Sequence, residues 1–153
     1  MENQTPQTNE NLPALKVIIE SIKPKFEELE DSRFKEFHNG VEFTTIARGA
    51  GFEISAKGQL IAPRATKRKE CEVMVDVVYY VEVSDRRIIV RENKQVAIQL
   101  MAELASQTIC YAVMYMQTEL KRRFKPLPQF PYFAFSQFYP QAERFLKSSP
   151  LVQ

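Results

Sequence analysis

The chain reads as an α+β domain: an antiparallel sheet of about four strands, packed by one long helix, with a proline- and aromatic-rich crossover leading to a short C-terminal helix. Three observations carry that reading. Residues 70–83, "ECEVMVDVVYYVEV", alternate as a strand does. Residues 94–123 hold neither glycine nor proline and keep a helical apolar spacing. Residues 125–141, "KPLPQFPYFAFSQFYPQ", gather four prolines and six aromatic rings where neither a helix interior nor a central strand can form.

Residues 1–12 are polar, carry no apolar period and are expected to be a mobile tail before a single domain over 13–153. The next stretch, "LPALKVIIESIKPKFEELEDSRFKEF", fits two states. Leu15, Ile18, Ile19 and Ile22 match a helical spacing, yet "KVIIESI" also suits a strand, and Pro24 interrupts either. We expect a strand or short helix up to Ile22, a turn of helix from Phe26 to Phe37, and a turn at "HNG" that puts His38 on the surface.

"GVEFTTIARGAGFEISAKGQLIAP" reads as two short strands around Gly49 and Gly51. In the clean strand, Cys71, Val73, Val75, Val77, Tyr79, Val81 and Val83 share the core face. Glu72, Met74, Asp76, Val78, Tyr80 and Glu82 share a partly wet one. The basic run "RATKRK" is a solvated hairpin loop on this reading. "SDRR" turns the chain into a short returning strand, "IIVREN".

The helix starts after Asn93, a good N-cap, and ends on Lys121, Arg122 and Arg123, where cations complement the helix dipole. It would run roughly 40 Å. One stripe is apolar: Ala97, Leu100, Met101, Leu104, Thr108, Tyr111, Tyr115. The opposite stripe opens with Gln99, Glu103 and Gln107, then turns apolar at Cys110 and Met114. The second half therefore has two apolar faces to cover, and we expect a second subunit to cover one of them. In the last segment Pro126, Pro128 and Pro131 hold an extended path. Phe130, Tyr132, Phe133, Phe135, Phe138 and Tyr139 then project both ways, before the short helix "PQAERFLKSS".

The formal net charge of +2 gives no general pull toward nucleic acid or acidic membranes. No run of eighteen apolar residues occurs, and "MENQTPQTNE" lacks a basic start with a greasy centre, so a cytoplasmic protein without membrane insertion is expected. Cys71 and Cys110 lie in apolar segments and are expected to be buried free thiols. His38 is the single histidine, and no CxxC or HxxxH pairing occurs, so neither a metal nor a cofactor is expected. No glycine-rich phosphate loop, GxSxG, HExxH or calcium loop is present. The acidic pairs Glu27–Glu28 and Glu30–Asp31 read as solvated surface. A binding protein, not an enzyme, is the expected class.

From Leu104 the chain runs "LASQTICYAVMYMQTELKRRFKPLPQFPYFAF". This resembles the C-terminal half of the SecB family of export chaperones and their SecB-like relatives in toxin–antitoxin–chaperone systems. Ile109, Tyr111 and Val113 stand near the family's aromatic–aliphatic helix positions. Pro126, Leu127, Pro128 and Phe130 stand at its proline crossover. Upstream, "LKVIIESIKPKFEE", "FEISAKGQLI", "ECEVMVDVVYYVEV" and "RRIIVREN" are similar to its four strands in order and placing. Ala112 replaces the family's proline. "SRFKEFHNGVEFTTIARGAG" has no place in the family's plan, and the acidity used to dock the SecA motor is missing.

The resemblance implies an oligomer, a dimer or tetramer, that holds unfolded polypeptide in grooves lined by aromatic and aliphatic side chains. Met74, Tyr79, Tyr80, Tyr111, Met114, Tyr115, Phe130, Tyr132, Phe133 and Phe135 are the candidate lining. Such side chains accept varied apolar sequences. Two other readings stand beside it. One is a structural assembly subunit of a phage neck, tail or secretion apparatus that docks through its terminal arms. The other, lesser, is an RNA or single-stranded DNA binder using "RATKRK", Arg86, Arg87 and the Lys121–Arg123 cluster beside tyrosines.

Overall fold

The computed structural model describes residues 15–29, 37–63, 70–83, 94–123, 130 and 133–147. Four strands form one antiparallel sheet: β1 (Leu15–Leu29), β2 (His38–Arg48), β3 (Gly51–Pro63) and β4 (Glu70–Val83). Helix α1 (Lys94–Arg123) follows, then a single 3-10 turn (Phe135–Phe138) that runs into α2 (Tyr139–Lys147). The α+β class, the four strands, the long helix and the short last helix are as the sequence predicts. The strand order is β1-β4-β3-β2, so three strands follow one another by adjacent pairing and β1 returns beside the last, a Greek-key order.

β1 corrects the sequence reading. It is a single strand of fifteen residues that continues through Pro24, and Phe26–Leu29 belong to it, not to a helical turn. Its pairing with β4 slips by one residue between Ile19 and Ser21, which leaves Glu20 as a bulge. That extra residue explains the ambiguity. Val17, Ile19, Ile22, Pro24 and Phe26 stand opposite Val81, Tyr79, Val77, Val75 and Val73, all on one face. The step of three from Ile19 to Ile22 mimics a helix, but the bulge absorbs it and keeps the face apolar. The edge position explains how Pro24 is tolerated, and Lys16, Lys23 and Lys25 give the edge a charged border.

"HNG" is not a turn. His38 opens β2 opposite Ile61, and its side chain is exposed. β2 and β3 are strands of 11 and 13 residues, longer than the sequence reading, joined at Gly49–Ala50. Gly49 takes a φ of 56°, a conformation glycine adopts without a Cβ penalty. Beside this turn Arg48 donates to Glu20 Oε2 at 2.6 Å and Glu53 Oε1 at 3.2 Å. Its guanidinium lies 4.4 Å from the Tyr80 ring centre. The bulged residue is thereby tied to the hairpin end, and the Glu20 hydrogen bond holds Arg48 further toward its charged form.

The core face of β4 is as predicted: Cys71, Val73, Val75, Val77, Tyr79 and Val81 are all buried. On the other face Met74, Asp76 and Glu82 are exposed, and Glu72, Val78 and Tyr80 are half-buried. α1 lies mainly on the two central strands. It lies close over Gly58, where an added Cβ would sit 2.7 Å from Thr108 Cγ2. Thr108 donates to Leu104 O at 2.7 Å, so the 2.9 Å contact between Tyr79 and Thr108 Oγ1 is donated by the tyrosine. Burial pushes the Tyr79 hydroxyl up to about 12.

α2 covers the other edge of the sheet. Gln141 donates to Val41 O, and Phe145 stacks at a tilt on Phe43, 5.3 Å between centres. Ser106 donates to Phe133 O at 3.3 Å, which ties the entry to the 3-10 turn against α1.

Several expectations fall outside the described residues: the tail 1–12, residues 30–36 of the expected helical turn, the loops "RATKRK" and "SDRR", the strand "IIVREN", the Asn93 cap, Pro126, Pro128 and Pro131 of the crossover, and Tyr132.

Candidate functional site

The first half of α1 is buried round a wide arc, with Ala97, Ile98, Leu100, Met101, Ala102, Leu104 and Ala105 all enclosed. The second half is different. Its buried stripe is Ile109, Ala112, Met116 and Leu120, joined by Glu119. This stripe is rotated from the one read in the sequence, so Tyr111 and Tyr115 fall at the helix flank and are only half-buried. Cys110 and Met114 face outward, and Met114 is 61% exposed. Cys71 is a buried thiol as expected; Cys110 is exposed, which corrects that expectation.

Because α1 covers the centre of the sheet and α2 packs on β2, the inner face of β1 is only partly covered. Val17, Ile19 and Ile22 point to the helix side of the sheet, yet each is about two-fifths exposed. Between this strand and the flank of α1 lies an open groove of about 240 Å³, lined by Ile22, Pro24, Val75, Tyr111, Met114, Tyr115 and Thr118. From Val17 to Pro24 the half-exposed strip extends on the order of 20 Å, the length of about six extended residues. The Tyr111 hydroxyl accepts from Gln107 Nε2 at 2.8 Å, and Thr118 returns its hydroxyl to Met114 O at 3.0 Å. The groove is thus an apolar trough with a few hydroxyls along the helical rim.

Of the predicted lining residues, Tyr111, Met114 and Tyr115 come together here. The others are scattered. Tyr79 is wholly enclosed beneath the helix. Met74 and Tyr80 lie on the opposite face of the sheet, Met74 exposed and Tyr80 engaged with Arg48, to whose carbonyl it donates at 3.1 Å. Phe130 packs on Phe37 at 5.2 Å, and Phe133 is half-buried against the core. Phe135 is 40% exposed and meets Tyr139 edge-on at 5.8 Å. Tyr132 lies outside the described residues. The aromatic tail therefore packs chiefly on its own chain in the part that is described.

The residues that sequence reasoning missed are Ile22, Pro24 and Thr118, with Val75 assigned to the core alone. The signal for the first two was present in "VIIESIKPKF", but only to a reader who allowed a bulge. A second, larger hollow of about 460 Å³ lies at the other sheet edge. Its lining of Val41, Glu42, Phe43, Gln141, Arg144 and Phe145 is mixed, and Gln141 and Phe145 already bridge it to β2.

Among the described residues, no group of three or more histidine, cysteine, aspartate or glutamate side chains is placed to hold a metal ion. α1 is long and apolar enough by composition to cross a membrane, yet over half of its most apolar stretch is buried inside the protein, as in a core helix. Compared with known proteins, the chain matches no family model and no curated sequence.

Proposed function

We propose that this chain is a SecB-like chaperone that holds segments of unfolded polypeptide along the trough between β1 and α1, as a subunit of a homo-oligomer and without catalysis. The observation that carries the reading is the half-exposed apolar strip of an edge strand, whose Ile22 and Pro24 face Tyr111, Met114 and Tyr115 across an open groove. Branched aliphatics, methionine and two rings form a surface that accepts many apolar sequences and demands no single shape. Apolar faces of this kind exposed on a lone domain mark sites of contact. The charged border and bulge of β1 disfavour addition of a further strand, so side-chain contact in the trough is the expected mode.

The test is binding of a permanently unfolded, fluorescently labelled polypeptide by anisotropy. Tyr111→Ala, Tyr115→Ala and Ile22→Ser should each weaken it. Each side chain is already part-buried, so a loss of about 1 kcal/mol, roughly fivefold in Kd, is expected for each. Met74→Ser, on the other face of the sheet, should leave binding unchanged. If the trough variants bind as the parent does, the trough is not the site. Capture of one folded partner instead of unfolded chains would favour the assembly-subunit reading.

A further inference from the structure

Tyr111, Met114, Tyr115 and Thr118 form the helical wall of the trough. Steps of four, three and four keep Tyr111, Tyr115, Thr118 and Arg122 on one side of α1, and a step of seven puts Lys121 on the line of Met114. Two cations therefore stand on the trough's side of the helix, within about 6 Å along its axis beyond Thr118. Both are exposed. Lys121 makes no ion pair among the described residues. Arg122 donates through Nη1 to Glu119 Oε2 at 3.0 Å, and its side chain is 68% exposed, so its other guanidinium nitrogens are open. The acids close by are engaged: Glu119 with Arg122, Glu27 with Lys25, and Glu20 with Arg48. Glu28, further along β1, also makes a contact of its own. At the opposite end the line of Met114 runs back through Gln107 to Glu103, an exposed acid about 27 Å from Lys121. The trough thus has one cationic and one acidic end. Cations in a last helical turn complement the dipole wherever they point; the dipole does not account for two of them in line with the trough.

We infer that the trough selects client segments with acidic residues on one flank of an apolar run, Lys121 and Arg122 receiving the carboxylates and Glu103 disfavouring acids on the other flank. The inference deepens the proposed function and rests on the trough as its site. An apolar run of about six extended residues fills the strip. A carboxylate just past it meets the flexible Lys121 ammonium and the open Arg122 nitrogens. Neither cation lines the groove itself. They set which apolar segments are preferred, while the groove does the holding.

The test is anisotropy of labelled peptides with blocked termini that share one apolar core and carry a glutamate, glutamine or lysine pair on one flank. At low salt the glutamate peptide should bind about threefold to fivefold tighter than the glutamine peptide, and the lysine peptide more weakly than either. The gap should narrow at moderate salt. A second glutamate pair on the other flank should add no further gain; an equal further gain would overturn the one-ended placement. Lys121→Glu, at an exposed position, should erase the glutamate preference, and Arg122→Gln should reduce it. Lys57→Glu, an equal charge change on the other face of the sheet, should keep it. Circular dichroism checks that the variants remain folded. Binding of the glutamine peptide with no glutamate preference, or a preference that survives both trough-end changes together, would overturn the inference and leave the trough standing. No binding by any peptide would remove the trough and the inference with it. Displacement of peptide by a single-stranded oligonucleotide, lost in Lys121→Glu, would assign the two cations to nucleic acid instead.

Discussion

Gly58→Ala should lower stability, although alanine leaves the unfolded chain fewer conformations to lose on folding. Gly58 lies on β3 directly beneath α1. A Cβ built there would stand 2.7 Å from Thr108 Cγ2 and 3.1 Å from Val75 Cγ1. Ordinary carbon contacts are about 3.5–4.0 Å, so the first contact is short by roughly 1 Å. Thr108 cannot swing away cheaply, because its hydroxyl serves Leu104 O and receives Tyr79. Overpacking of this kind costs about 1–3 kcal/mol, and the glycine-to-alanine change returns about 0.4–1 through the unfolded chain. From the middle of each range the net loss is about 1.3 kcal/mol, which lowers Tm by roughly 3–5 °C in a domain of this size. Thr108→Ser removes the offending methyl, keeps both hydrogen bonds and costs about 1 kcal/mol alone. The double variant should be little worse than Thr108→Ser, a coupling of about 1–2 kcal/mol in a thermal or urea unfolding cycle. If Gly58→Ala is as stable as the parent, or if the two losses simply add, the close approach at Gly58 does not set the helix height.

Two further outcomes follow from the same geometry. Tyr79 holds its proton to about pH 12 in the folded state, against about 10 when unfolded. Its stabilising contribution is full below pH 10 and is lost as pH rises through that window. The loss totals on the order of 2–3 kcal/mol. Tyr79→Phe should cost about 1 kcal/mol at neutral pH and lose that share of the alkaline decline; an unchanged slope would show that Tyr79 is not the group. Deleting Glu20 removes the bulge but leaves Val17, Ile19, Ile22, Pro24 and Phe26 on one face, at the loss of an exposed ion pair. Stability should fall by about 1 kcal/mol or less in urea unfolding, and a collapse of the fold would show that the bulge sets more than the register.

The sequence by itself determined the elements whose apolar period is long and unbroken. β4 alternates from Cys71 to Val81, so its buried face was legible there residue by residue; Glu70, at the strand's start, is buried on the other face. α1 has no glycine or proline from Lys94 to Arg123, and the ends read from sequence are those that form. β1 was not legible in the same way, because a one-residue bulge breaks a period of two and leaves a spacing that a helix would also produce. Only pairing with β4 decides between them, and that partner lies about fifty residues away in the chain. The same limit applied to the site. The sequence showed that the second half of α1 has apolar groups on more than one side. Which of them face outward depended on where the helix crosses the sheet. Gly58 beneath Thr108 brings α1 down over the centre, and α2 fills in above β2. The helix is one rod about 10 Å wide over a sheet of four strands, so one edge is left only partly covered. That edge is β1, and its half-exposed strip brings Tyr111, Met114 and Tyr115, three of the ten candidate lining residues, together as the wall of a trough.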